Sequence, residues 1–107
     1  MKADVLRGHL DSLIMSVVEG RPLHGYAIIE ALRERSGGEV DLPTGTVYPA
    51  LRRLERLGYL NGQWSTVSGR KRRTYQLTAA GVAALASDRA AWLETSKVIG
   101  GILGTAR

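Results

Sequence analysis

The chain has 107 residues, 44% of them hydrophobic and 23% charged, with 15 basic and 10 acidic side chains, a net charge of +5 and no cysteine. This length supports one core and leaves no room for a second, and the composition excludes a disordered chain. Without cysteine there is no disulfide framework, thiol nucleophile or thiolate metal site.

The longest apolar segments, 10–18 and 82–93, are interrupted by Asp, Ser or Arg. Both fall short of the roughly 20 apolar residues that span a bilayer. The opening residues, Met-Lys-Ala-Asp-Val-Leu-Arg-Gly-His, carry no continuous apolar core of the signal-peptide kind. A cytoplasmic protein with no membrane partner is the default expectation.

Leu6, Leu10, Leu13, Ile14, Val17 and Val18 recur at helical spacing, which predicts a first helix running to Glu19-Gly20 with that stripe inward. Arg21-Pro22-Leu23 reads as a turn. His24 to Arg35 reads as a second helix, with Ile28, Ile29 and Leu32 inward and Ser36-Gly37-Gly38 as its stop. A third helix follows Pro43. At 100° per residue, Val47, Ala50, Leu51, Leu54, Leu57 and Gly58 share one arc, and Gly45, Thr46, Tyr48, Pro49, Arg52, Arg53 and Arg56 share the other. Proline is cheapest in a first helical turn, so Pro49 favours Thr46 as the N-cap, with Thr44 as the alternative if the helix tolerates a distortion.

Tyr59 to Val67 and Arg73 to Thr78 read as two strands joined by the basic loop Ser68-Gly69-Arg70-Lys71-Arg72. Thr78 can cap a last helix in which Leu85, Trp92 and Ile99 fall seven apart, flanked by Ala86 with Leu93 and by Val82 with Leu103. That seam has no partner within the chain. The glycines at 100, 101 and 104 suggest a frayed tail.

Charge is concentrated. Between Thr44 and Thr78 lie Arg52, Arg53, Arg56, Arg70, Lys71, Arg72 and Arg73 against the single acid Glu55, a balance of +6, while the other residues carry 8 basic and 9 acidic groups. A basic helix followed by a basic hairpin is the footprint of a protein that tracks a phosphate backbone. The expected fold is mainly α with a small β-hairpin: a winged helix-turn-helix DNA-binding domain over 1–78, followed by a C-terminal dimerisation helix and tail over 79–107.

Several separated motifs also resemble one family in order and spacing. His24-Gly25-Tyr26, Gly45 to Leu51, Arg53-Leu54-Glu55, Gly58-Tyr59-Leu60, Gly69 to Tyr75 and Leu77 to Gly81 are similar to the PadR family of bacterial transcriptional regulators, over roughly residues 8 to 95. The resemblance implies a homodimer that binds a pseudo-palindromic operator in double-stranded DNA, represses, and lets go when a small molecule binds. Carried over, it points to Tyr26, Thr46, Tyr48 and Pro49, with Arg52 and Arg53 beside them, and to Gly69, Arg70, Lys71, Arg72 and Arg73 in the wing. Lys71 stands where the family wing usually has proline, and Thr74 where it has an aromatic, which implies a wing more dependent on charge. The single final helix is similar to the short subgroup of the family. There a tryptophan on this helix can stack on flat aromatic compounds between subunits, so Trp92 has two readings: packing in the dimer seam with Leu85, Leu93 and Ile99, or ligand contact.

Blander roles are open for some of these residues. Tyr26 could pack between helices, and Trp64 reads as a strand residue covering the edge of the core. Tyr48, on the outer arc, is expected outside it. His9 and His24 are far apart and no carboxylate pair stands at ligand spacing, so neither a metal site nor a cofactor is expected. The acids lie at helix ends or on solvated faces, and Ser12, Ser65 and Ser68 lack a base, so no catalytic residues are expected and the chain reads as no enzyme. The alternatives to a ligand-responsive repressor are an effector-independent winged-helix nucleic-acid-binding protein and a protein-interaction domain built on the last helix.

Overall fold

A computed structural model describes Met1 and residues 3–105; the last two positions of the expected tail lie outside the described residues. The expected first helix is two. Helix α1 spans Ala3–Leu6 and α2 spans Leu10–Val18, separated by a turn in which Gly8 takes φ +86°. That left-handed conformation is cheap only for glycine and stops the helix, although Leu6 and Leu10 keep their apolar spacing across it.

Strand β1, Leu23–His24, is an element that the reading of 21–23 as a plain turn does not contain. It pairs antiparallel with the second strand of the hairpin, Leu23 opposite Tyr75 and His24 opposite Thr74. Helix α3, Gly25–Arg35, then starts with His24 as N-cap rather than first turn. Its Nδ1 accepts from the Ala27 amide at 3.3 Å. The helix closes as the sequence predicts, with Gly37 and Gly38 at positive φ and the Gly38 amide donating to the Arg33 carbonyl.

Helix α4 spans Thr44–Arg56, and its N-cap is Pro43, neither Thr46 nor Thr44. Pro49 therefore sits inside the helix. The amide it lacks would have bonded the carbonyl of Gly45, an exposed position where water can take that bond, and glycine is the residue least crowded by a proline ring four residues on.

Strands β2 (Leu60–Val67) and β3 (Arg70–Leu77) form the hairpin, and the sheet order is β1-β3-β2. The connection is only Ser68-Gly69, with φ of 52° and 78°. Positive φ at both central residues matches the right-handed twist of the strands and makes a tight two-residue turn. Arg70, Lys71 and Arg72 consequently belong to β3, a correction to the five-residue basic loop.

Helix α5, Ala79–Leu103, is capped by Thr78, whose Oγ1 accepts from the Gly81 amide at 3.0 Å and donates to the Gly58 carbonyl. It continues through Gly100 and Gly101 to a left-handed Gly104, so that stretch is helical and not frayed. The core gathers Ile14, Met15, Ile28, Val47, Leu51 and Leu54, closed by Leu60 and Tyr75 of the sheet and Leu85 of α5. Leu57, expected inward, is exposed at the end of α4.

Two polar clips hold the first part of α5 on α2. Ser12 Oγ donates to Asp88 at 2.7 Å, and Arg89 donates to both oxygens of Glu19 at 2.8 and 2.9 Å. The Arg89 hydrogen bonds hold the Glu19 carboxyl below its usual range. Beyond them every residue from Ala90 to Ile99 is exposed, and the molecule stretches to 54 × 29 × 21 Å.

Candidate nucleic-acid interface

Helix α4 divides as its periodicity requires. Val47, Ala50, Leu51 and Leu54 are buried, while Gly45, Thr46, Pro49, Arg52, Arg53 and Arg56 are exposed. Tyr48 departs from this division: it is half-buried, its ring lying over Gly25 and meeting Tyr26 edge-on at 6.4 Å. A Cβ built on Gly25 would come within 2.5 Å of the Tyr48 ring, so a glycine at the start of α3 leaves that ring room to sit there. Burial pushes the Tyr48 phenol pKa up, with Tyr26 adding to it, so its hydroxyl remains a proton donor at neutral pH. Tyr26 is exposed on the same side.

The hairpin presents its cations on two faces, because successive side chains in a strand alternate. Lys71 and Arg73 share a face with Trp64, which stands opposite Arg73, and Arg70 and Arg72 share the other. Arg70, Lys71 and Arg72 are exposed. Together with Arg52, Tyr48, Tyr26 and His24 they line an open cleft of about 720 Å³ between α4 and the wing. His24 is held below its usual pKa by desolvation first and by the Arg72 charge second, with Glu30 opposing.

Not all the basic residues are alike. Arg53 bonds Asp11 of α2, and Arg73 donates to both carboxylate oxygens of Glu55, at 3.1 and 2.6 Å. Arg52, Arg56, Arg70, Lys71 and Arg72 make no ion pair among the described residues. On α4 and the wing, these five are the cations left available to a polyanion.

Residues 14–87 match the transcriptional regulator PadR-like family. The chain belongs to that family. It is 44% identical over 85 residues to the transcriptional regulator Rv3488 of Mycobacterium tuberculosis, covering 78% of this chain and 77% of that one. Among solved structures, a transcriptional regulator from Clostridium thermocellum superposes with a TM-score of 0.86 at 28% identity, over 94% of this chain and 96% of that one. A PadR family regulator from Clostridium difficile R20291 gives 0.80 at 35% identity, over 90% and 99%. The winged helix-turn-helix with its long final helix is thus a PadR-like transcriptional regulator, and DNA is its partner class.

Within this PadR-like frame the final helix needs one correction. Leu85 is no seam residue: it is 1% exposed, locked into the core of its own chain. Trp92 is 56% exposed, with one edge against the His9 ring at 5.3 Å, and Leu93, Val98, Ile99, Ile102 and Leu103 are exposed beyond it. Trp64 does not cover the core edge. It is 67% exposed, with the Arg73 guanidinium 5.3 Å from its ring centre. The sequence reading missed the partners Asp11 and Glu55. Glu55 was visible as the one acid in a +6 stretch, whereas Asp11 carried no signal.

Proposed function

We propose that the protein is a homodimeric, sequence-specific repressor whose α4 enters the major groove and whose wing reaches the adjoining backbone. The observation that carries this reading is the set of cations without an ion pair among the described residues, with Arg52, Arg70, Lys71 and Arg72 lining one open cleft between α4 and β3 and Arg56 one turn further along the exposed side of α4. Thr46, Tyr48, Pro49, Arg52 and Arg53, with Tyr26 alongside, present the groove-facing surface; Gly69 to Arg73 make the wing. In this assignment Arg52 and Tyr48 choose sequence, and Arg70, Lys71 and Arg72 set affinity, because phosphate contacts position a protein while base contacts specify.

The exposed apolar surface of Leu93, Val98, Ile99, Ile102 and Leu103 supports dimerisation through the far part of α5, since a stripe of that size on a small monomer marks an interface. A two-fold dimer would set two α4 helices on half-sites about one helical turn apart. Trp92, at the near end of that stripe, offers a flat face to a planar aromatic effector between subunits. Insertion there would change the angle between the paired helices and release DNA by its differential affinity for the two states.

Selection from random duplex DNA tests the whole reading. The expected result is a two-fold symmetric site bound far more tightly than random duplex at moderate salt; equal binding to both would overturn it. Quenching of tryptophan fluorescence by planar dyes that disappears in Trp92→Ala tests the effector site.

A further inference from the structure

We propose that Glu55 and Arg73 form a brace that fixes the angle between α4 and the wing, which makes Arg73 a positioning residue and not a phosphate contact. The inference rests on the reading of α4 and the wing as the DNA-binding surface, and it assigns a division of labour within that surface.

Four features of the geometry build the brace. The Arg73 guanidinium engages both oxygens of Glu55, from Nε at 3.1 Å and Nη2 at 2.6 Å, the fork arrangement that holds a carboxylate in a fixed plane. Both side chains are largely shielded, 28% and 23% exposed, unlike the solvated pairs elsewhere in the chain. The guanidinium also lies 5.3 Å from the Trp64 ring centre and 6.0 Å from that of Tyr75, within cation–π reach of both. Finally, β2 carries glycine where the pair needs space. A Cβ at residue 62 would stand 2.6 Å from Arg73 Nε and 2.9 Å from Glu55 Oε2.

The position of Glu55 makes the pair consequential. It follows Tyr48 by seven residues and Arg52 by three, so it lies on the stretch of α4 that faces the cleft. A free carboxylate there would repel phosphates. Paired with Arg73 it contributes no net charge, and the two residues join the last turn of α4 to the middle of β3. The outer half of the hairpin, 63–72, has no buried side chain of its own to fix it on the body. A wing held in its DNA-ready angle before contact binds with less loss of conformational freedom on association.

Electrostatics and bracing predict opposite signs for Glu55→Gln. Removing an acid from a cationic face should tighten DNA binding if charge alone matters. The brace predicts about fivefold to tenfold weaker operator binding, inside the span of coupling between residues in direct contact, with the slope of log affinity against log salt unchanged. The charge swap Glu55→Arg with Arg73→Glu should recover most of the affinity lost in either single variant. Glu55→Gln binding as tightly as wild type or tighter overturns the proposal. So does an Arg73→Gln slope shallower by about 0.9, the signature of a lost phosphate contact.

Hydrogen exchange in the free protein decides the brace independently of any DNA. Amides of 63–72 should exchange at least about threefold faster in Glu55→Gln while those of α2 and α3 are unaltered, as expected for a local opening. Unaltered exchange across the wing overturns the brace even where the operator result stands. Wild-type protein without salt-sensitive duplex binding would instead overturn the DNA reading.

Discussion

Helix α4 and the far part of α5 both carry several large apolar side chains, and they differ in where those side chains end up. In α4 the face of Val47, Ala50, Leu51 and Leu54 is buried to within about a hundredth of its surface by α2, α3 and the sheet. In α5 the apolar side chains beyond Arg89 are left largely exposed: Leu93 is 68% exposed and Ile102 81%. Leucine at position 54 and leucine at position 93 are the same side chain used for two purposes. The first holds the fold together, and the second stands outside it, on the surface proposed for dimerisation.

Emptying a buried leucine site should do the most damage. Leu54→Ala should cost about 2–5 kcal/mol in urea unfolding, the usual range for emptying a fully packed leucine site. Leu93→Asp should leave the far-UV circular dichroism of the folded chain intact and convert the proposed dimer to monomer in sedimentation. Operator affinity should fall by about a hundredfold or more with it, since one half-site offers too little contact. A Leu93→Asp protein that remains dimeric would place the interface elsewhere. The contrast between free and committed cations gives a smaller effect. Arg72→Ala should shallow the salt slope of DNA binding by about 0.9 and weaken affinity severalfold at moderate salt without altering base preference.

The smallest expected effect is a pH dependence. His24 has its pKa depressed in the folded protein, chiefly by burial, and its neutral Nδ1 accepts the capping bond of α3. The unfolded chain therefore binds the proton more readily, and stability rises with pH wherever it does so. This contribution is present above the ordinary value of 6.5 and is lost as pH falls through the depressed folded value. His24→Asn keeps a capping acceptor and should remove that part of the acid sensitivity in thermal melts between pH 7 and 5.

Elements longer than about nine residues were legible because their apolar spacing is long enough to fix period and face. The arcs of α4 follow from arithmetic on 47, 50, 51 and 54. Other features depend on single backbone angles or on distant partners, and periodicity carries neither. Leu6 and Leu10 keep helical spacing across a glycine that breaks the helix. The basic run 70–72 reads as a loop by composition, although Ser68-Gly69 alone closes the hairpin. A two-residue strand such as β1 has no period at all. Within the candidate site, the cluster of cations was visible as charge density, but its sorting into free and committed members was not. Arg73 meets a carboxylate 18 positions away, and Arg53 one 42 away. The seven-residue repeat of Leu85, Trp92 and Ile99 likewise hides that its first member turns inward and its later members outward.

The tight passage of Tyr48 over Gly25 matters to anyone who would retarget this regulator. Position 48 is an obvious place to vary when a new base preference is sought, yet its ring fills the volume that a side chain at 25 would occupy. The two positions form one design variable. A library that randomises the outer face of α4 alone leaves an uncovered glycine at the head of α3 in every member that loses the ring, and a stabilising alanine there becomes possible only in those same members. Introduced beside the native tyrosine, that alanine would push the ring off its seat and so disturb the proposed groove-facing surface without any substitution in α4.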